Sequence, residues 1–278
     1  MTLFGPGDGV EPGGPDGAAP EGARRLRLTV AYHGAGFRGF AVQPGQRTVG
    51  GVLTQAIETV VGHPVRLTCA GRTDAGVHAS GQVVHFDLVP ERARAPLDAA
   101  DPDLAVLIRR CNRLLGTEVA VTAAEVAGPG FDARRSARWR RYRYTVLNRA
   151  TPDPLLADRT WHVTDELDLR GMQAACDPLF GEHDFAAFCR RPADDGSTVR
   201  RVLEAGWDRA GPDLLAFDIA ASAFCHQMVR SIVGTIVDVG RGRLRAGDMA
   251  GILRSGDRAQ ARTIAPPHGL CLLDVGYA

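Results

Sequence analysis

Between two apolar segments the chain carries Gly71-Arg72-Thr73-Asp74-Ala75-Gly76-Val77-His78, a single carboxylate beside an arginine in a connection bounded by glycines. Residues 65–70 read as a short apolar strand and residues 81–88 alternate as another, so the octapeptide must be an ordered loop between them. Ordered loops on rigid scaffolds are where chemistry tends to sit, and a lone aspartate held there is a candidate nucleophile or base. The same residues are also good turn chemistry, with aspartate bonding its own backbone and glycine free to take a positive φ. By residue type alone the turn is the commoner outcome.

A second pattern lies in the strand expected over residues 137–147. Its two-residue period sets Arg138, Arg140, Tyr142 and Tyr144 on one face and Trp139, Arg141 and Arg143 on the other. Guanidinium groups interleaved with phenol rings suit RNA, arginine on phosphate and an aromatic face on an unstacked base. Arg140 is the expected phosphate ligand. A cross-strand ladder of Tyr and Arg on an exposed sheet is the alternative. Gly34, Gly36 and Gly39 follow the first expected strand, but their spacing does not fit the G-x-G-x-x-G of a phosphate loop.

Composition narrows the chemistry. All 33 basic residues are arginine, which excludes a P-loop lysine, a Schiff-base lysine and a lysine general base. The formal net charge is +1, but the first 23 residues hold Asp8, Glu11, Asp16 and Glu21 and no base, so the remainder is more basic than the whole and favours a polyanionic partner. Cys69, Cys111, Cys176, Cys189, Cys225 and Cys271 are scattered without paired spacing and read as reduced core residues. The histidines form no ligand motif, so no metal site is expected. No apolar run is long enough to span a membrane, and the Gly- and Pro-rich start lacks a signal-peptide core, which points to a cytoplasmic protein with a disordered tail over 1–23.

After that tail, strand 25–32, helix 49–61, strands 65–70 and 81–88, helix 97–115 and strand 118–126 give the order β-α-β-β-α-β over 24–127. Gly128-Pro129-Gly130 marks the boundary. Over 128–278 come strands 137–147 and 159–163, helix 168–179, strands 199–208 and 213–221, helices 225–239 and 247–253, and a last strand at 270–277. Two α+β halves rich in antiparallel strands imply a cleft lined from both sides.

The motif at 70–79, followed by Gly81-Gln82-Val83-Val84-His85-Phe86, resembles the signature of the tRNA pseudouridine synthase A family, and matching blocks recur in order. These are Phe131-Asp132-Ala133-Arg134 with Arg140-Arg141-Tyr142-Arg143-Tyr144, then Gly181-Glu182-His183-Asp184-Phe185 with Phe188. Ala223-Phe224-Cys225-His226-Gln227-Met228-Val229-Arg230 follows, and Ala265-Pro266-Pro267-His268-Gly269-Leu270 with the terminal Val275-Gly276-Tyr277 completes the series. The resemblance runs from about residue 26 to the end. It departs at His33, Phe40, Ala41, Leu115 and Gln227, positions that bear on RNA contacts and loop shape.

The resemblance implies an α+β fold of two ferredoxin-like (βαββαβ-type) halves sharing a central, mostly antiparallel sheet. It implies an enzyme that isomerises uridine to pseudouridine in the anticodon stem-loop of tRNA, with no cofactor, acting as a homodimer. Asp74 would be catalytic, Tyr142 would stack on the target base, Arg230 would pair with Asp74, and Leu270 would line the pocket. Arg72 would fill the space the base vacates or hold phosphate. Two other readings remain open. One is a non-catalytic RNA-binding module. The other is a nucleoside hydrolase, which would need a second pocket carboxylate, with Asp184 the applicant. Prolonged EDTA treatment should leave activity unchanged, and a loss that zinc or magnesium restores while the tRNA stays folded would contradict the metal-free reading.

Overall fold

In the computed structural model, residues 22–90, 104–190 and 196–277 are described. The expected tail up to residue 21, and residues 97–103 of the expected second helix, lie outside the described residues.

The strand β1 (Arg24–Tyr32) turns Leu26, Leu28 and Val30 inward and its arginines outward, as period two requires. Helix α1 (Val49–Val61) starts where the Thr48 side chain accepts the Gly51 N–H, and it stops at Gly62 with φ 84°. Its apolar stripe of Leu53, Ile57, Val60 and Val61 is buried. Next come β2 (Thr68–Cys69), β3 (His78–Leu88), α2 (Ala105–Leu115) and β4 (Val119–Val126). The second half supplies β5 (Trp139–Asn148), β6 (Trp161–Val163), α3 (Leu169–Ala174), β7 (Gly181–Asp184), β8 (Val199–Arg209), β9 (Leu214–Ala221), α4 (Met228–Gly240), α5 (Asp248–Ser255) and β10 (Leu270–Gly276).

All ten strands join one mixed sheet in the order β4-β1-β3-β10-β5-β9-β8-β7, with β2 on β3 and β6 on β5. The C-terminal strand β10 therefore lies in the middle. It runs parallel to β3, with Cys271 opposite His78 and Leu272 opposite Ala79, and antiparallel to β5. That seam joins the first half to the second, and the approach is close: a Cβ on Gly81 would lie 2.2 Å from the Leu273 carbonyl oxygen. One face of the sheet carries the core, with Phe86, Tyr144 and Phe217 fully buried. On the other face of β5 the arginines pair across strands, Arg143 with Asp218 on β9 and Arg141 with Glu204 on β8.

The differences from the sequence reading have physical causes. The strand expected over 65–70 pairs only at Thr68–Cys69, while β3 begins three residues earlier than expected because β10 extends its ladder to His78. The helix expected over 168–179 ends at Ala174 and finishes as a single tighter turn at Asp177–Leu179. The helix expected from Cys225 begins at Met228, because Gln227 takes a left-handed φ of 65° and breaks the helical path.

Two buried histidines brace this half of the sheet as hydrogen-bond acceptors. His78 Nδ1 accepts the Gly34 N–H at 3.0 Å, and His85 Nδ1 accepts the Ala133 N–H at 2.9 Å. Both are held below the ordinary 6.5, by burial first, then by His33 beside His78 and by Arg25 beside His85. The unfolded chain therefore binds more protons as pH falls through that value. The contribution of these residues is intact above 6.5 and is lost as pH falls toward their folded values. Urea midpoints should drop between about pH 8 and about pH 5.5, and a midpoint that rises on acidification would contradict this.

Candidate active site

The loop at 71–77 is fixed from behind before it presents anything forward. The Thr73 hydroxyl shares a hydrogen bond with Tyr32 at 2.8 Å, and its carbonyl accepts the Phe40 N–H at 3.1 Å. Gln82 on β3 donates to the Gly71 carbonyl at 2.7 Å and to the Tyr32 hydroxyl at 3.3 Å. Gly39, at φ 92°, lets the backbone pass so close that a Cβ there would lie 2.9 Å from the Thr73 oxygen. Of the glycines after the first strand, Gly34 and Gly39 thus lie against this loop.

Asp74 faces a cleft of about 1240 Å³ on the core side of the sheet. Arg230, from the first turn of α4, places Nη1 3.0 Å from Asp74 Oδ2, while its Nε donates to the Ala265 carbonyl at 2.8 Å. The other carboxylate oxygen, Oδ1, is 3.3 Å from His226 Nε2. Asp74 is 23% exposed and Arg230 15%, so the pair is largely sheltered and still reachable.

The six residues expected from the sequence, Arg72, Asp74, Arg140, Tyr142, Arg230 and Leu270, all line this one cleft. Tyr142 and Leu270 come from neighbouring strands and are 7% and 6% exposed. The Tyr142 ring meets Phe224 edge-on at 5.0 Å, and burial pushes its phenol well above the usual value, so it stays protonated. Arg72 is exposed, and its side chain makes no ion pair among the described residues.

Arg140 is placed differently from the free phosphate ligand expected from its strand. It is 8% exposed, and it donates to four backbone carbonyls, those of Ala137 and Ser222 through Nη1 and those of Ala70 and Arg134 through Nη2. These bonds tie the residue before the catalytic-type loop to the strand that carries Tyr142. Burial, the largest effect on it, lowers its pKa from the usual arginine value.

Among the described residues Asp74 is the only acid lining the cleft, whereas six arginines line it. Asp184 does not line it; its Oδ1 accepts the Ala186 N–H at 3.0 Å at the end of β7. The described residues hold no group of three His, Cys, Asp or Glu side chains arranged for a metal ion. Sequence reasoning missed the placement of His226 against Asp74, although it lies in one of the matched blocks. Its approach to Asp74 depends on the left-handed turn at Gln227, which nothing in the residue types announces. Gln82 was also missed. Its amide occupies a core-facing position opposite Val30, and a buried polar residue in an alternating strand is the signal that could have revealed it.

The geometry is thus a single arginine-paired carboxylate with a buried tyrosine in an arginine-lined cleft. Residues 175–278 match the family model described as tRNA pseudouridine synthase. The chain is 46% identical over 267 residues to the tRNA pseudouridine synthase A of Leifsonia xyli subsp. xyli, covering 92% of both chains. It is 45% identical over 259 residues to the protein of the same name from Frankia casuarinae, covering 92% of this chain and 90% of that one. With the Mycobacterium leprae protein it shares 43% over 261 residues, 91% and 89% of the two chains. The chain belongs to the tRNA pseudouridine synthase A family.

Three substitutions test this geometry. Arg230→Met leaves a sheltered carboxylate without its guanidinium, so adding Asp74→Asn should recover part of the lost stability, with a coupling of about 1 kcal/mol or more in urea unfolding. Additive losses would mean that the two side chains do not interact. Arg140→Ala strands four carbonyls and should cost about 1–3 kcal/mol while leaving the salt dependence of RNA binding unchanged. A stable variant with a flatter salt dependence would restore the phosphate-ligand role.

Proposed function

We propose that this protein isomerises uridine to pseudouridine in the anticodon stem-loop of tRNA, with Asp74 as its catalytic group. The observation that carries the proposal is the lone carboxylate held by Arg230 where the two halves of the sheet meet, in a cleft with no second acid among the described residues. The reaction breaks the N1–C1′ bond of uridine, turns the base and rejoins it through C5, with no net redox change. Glycosidases that expel an alkoxide need a second carboxyl group as an acid. Uracil departs as an anion delocalised over its carbonyls, so one carboxylate suffices.

In this proposal Asp74 attacks C1′ or removes a 2′ proton, and Arg230 holds it in position. The target base must first leave its stack, and Arg72, exposed and without an ion pair among the described residues, would occupy the vacated space or hold phosphate. Tyr142 would stack on the uracil while it turns, with Leu270 walling the pocket against water that could hydrolyse an intermediate. We also infer two ferredoxin-like halves, 24–127 and 128–278, a reading supported by the place of β10 between β3 and β5. We further infer a homodimer acting in the cytoplasm, on the strength of family membership. No helix among the described residues is long and apolar enough to cross a membrane.

Release of tritium from tRNA labelled at uridine C5 tests the function. Label should be released from transcripts with uridines in the anticodon stem-loop and from none in which those uridines are replaced by cytidine. Free uracil without C5 release would instead indicate a hydrolase. Tight binding with neither product would indicate an RNA-binding module.

A further inference from the structure

His226 has no part in holding the fold that its side chain reveals. The imidazole is 48% exposed in the cleft, and its Nε2 lies 3.3 Å from Asp74 Oδ1, on the carboxylate oxygen that Arg230 leaves open. Its backbone carbonyl accepts the Arg190 N–H at 3.0 Å. The left-handed Gln227, at the cost of helical continuity, ends the turn that presents it there.

The reaction inferred above leaves one proton transfer without an owner. When C5 has bonded to C1′ it is tetrahedral and still carries its hydrogen. A base must take that proton so that the C–H electron pair can restore the C5–C6 double bond, and N1, left with the negative charge, must gain a proton. At that moment C5 is attached to the sugar carbon that Asp74 addresses, so the base must stand beside Asp74.

We propose that His226 is this base: Nε2 takes the proton from C5, the imidazolium releases it to solvent, and N1 is protonated from solvent. The inference rests on the function proposed above. An imidazole is suited to accept and release a proton near neutral pH. The imidazolium forms beside the Asp74 carboxylate just freed by C5–C1′ bond formation, where opposite charge favours it.

The other proton carriers lining the cleft fit less well. The Tyr142 phenol is kept protonated by burial. Burial likewise pushes the Cys69 thiol up, to about 11. Cys225 is drawn down by its hydrogen bond with the Cys189 thiol, but its sulfur is directed to Cys189 and toward the Thr198 carbonyl at the edge of β8. Asp74 itself keeps Oδ2 on Arg230 and is the group assigned to C1′.

The test uses tRNA deuterated at uridine C5 in single-turnover reactions of the full chain. His226→Gln should fold with unchanged thermal stability, keep its tRNA affinity and lose about 10²-fold in rate. Its rate should also become sensitive to deuterium at C5 beyond any sensitivity of the unaltered protein. Added imidazole should restore His226→Ala. An unchanged rate in His226→Gln would overturn the proposal. So would a slow reaction with no added isotope effect and no imidazole rescue, which would assign the proton to Asp74. If the unaltered protein itself releases no label from C5, the functional reading fails first and takes this proposal with it.

Discussion

The contact between Arg230 and Asp74 joins residues 156 positions apart, and most of the architecture can be traced to making it. A carboxylate that must act alone has to be ionised, aimed and sheltered together. A guanidinium does all three if it is itself fixed, and Arg230 is fixed by its bond to the Ala265 carbonyl and by the buried helix α4 behind it. Such a pair is a poor source of net stability, since both ions lose solvation. Its worth lies in geometry, and the geometry depends on the two halves of the sheet keeping one register.

That register is set at the seam, where β10 slots between β3 and β5 and Gly81 allows the backbones to meet. The loop of Asp74 leads directly into β3, Leu270 starts β10 and Tyr142 lies on β5, so three adjacent strands deliver three of the cleft residues. Arg140 and the Tyr32–Thr73–Gln82 cluster then hold the loop against this platform through backbone carbonyls and a buried hydroxyl network. Preorganisation of this kind leaves little for substrate binding to arrange.

Much of this was legible in residue order. Period two in β1 and β5, the Thr48 cap and Gly62 stop of α1, and the glycine-bounded loop at Asp74 are local features, and local propensity decided them. The place of β10 was not legible, because strand order is a matter of long-range pairing that no window of sequence contains. The shortened start of α4 was hidden for another reason: Gln227 adopts a conformation its type disfavours, held by surrounding structure. The setting of Arg140 was not legible either, because alternation tells which face a side chain takes but not whether that face is wet, and here four backbone carbonyls accept from its two Nη groups.

The central claim is that one carboxylate, Asp74, acts at the sugar carbon while Arg230, Tyr142 and Leu270 hold and orient. It is tested most directly by Asp74→Asn, which keeps size and shape but removes the charge. The measurement is single-turnover conversion of a tRNA labelled at C5, paired with equilibrium affinity for the same tRNA. The account predicts that conversion is abolished while affinity stays within a few fold. Appreciable conversion by this variant would contradict it.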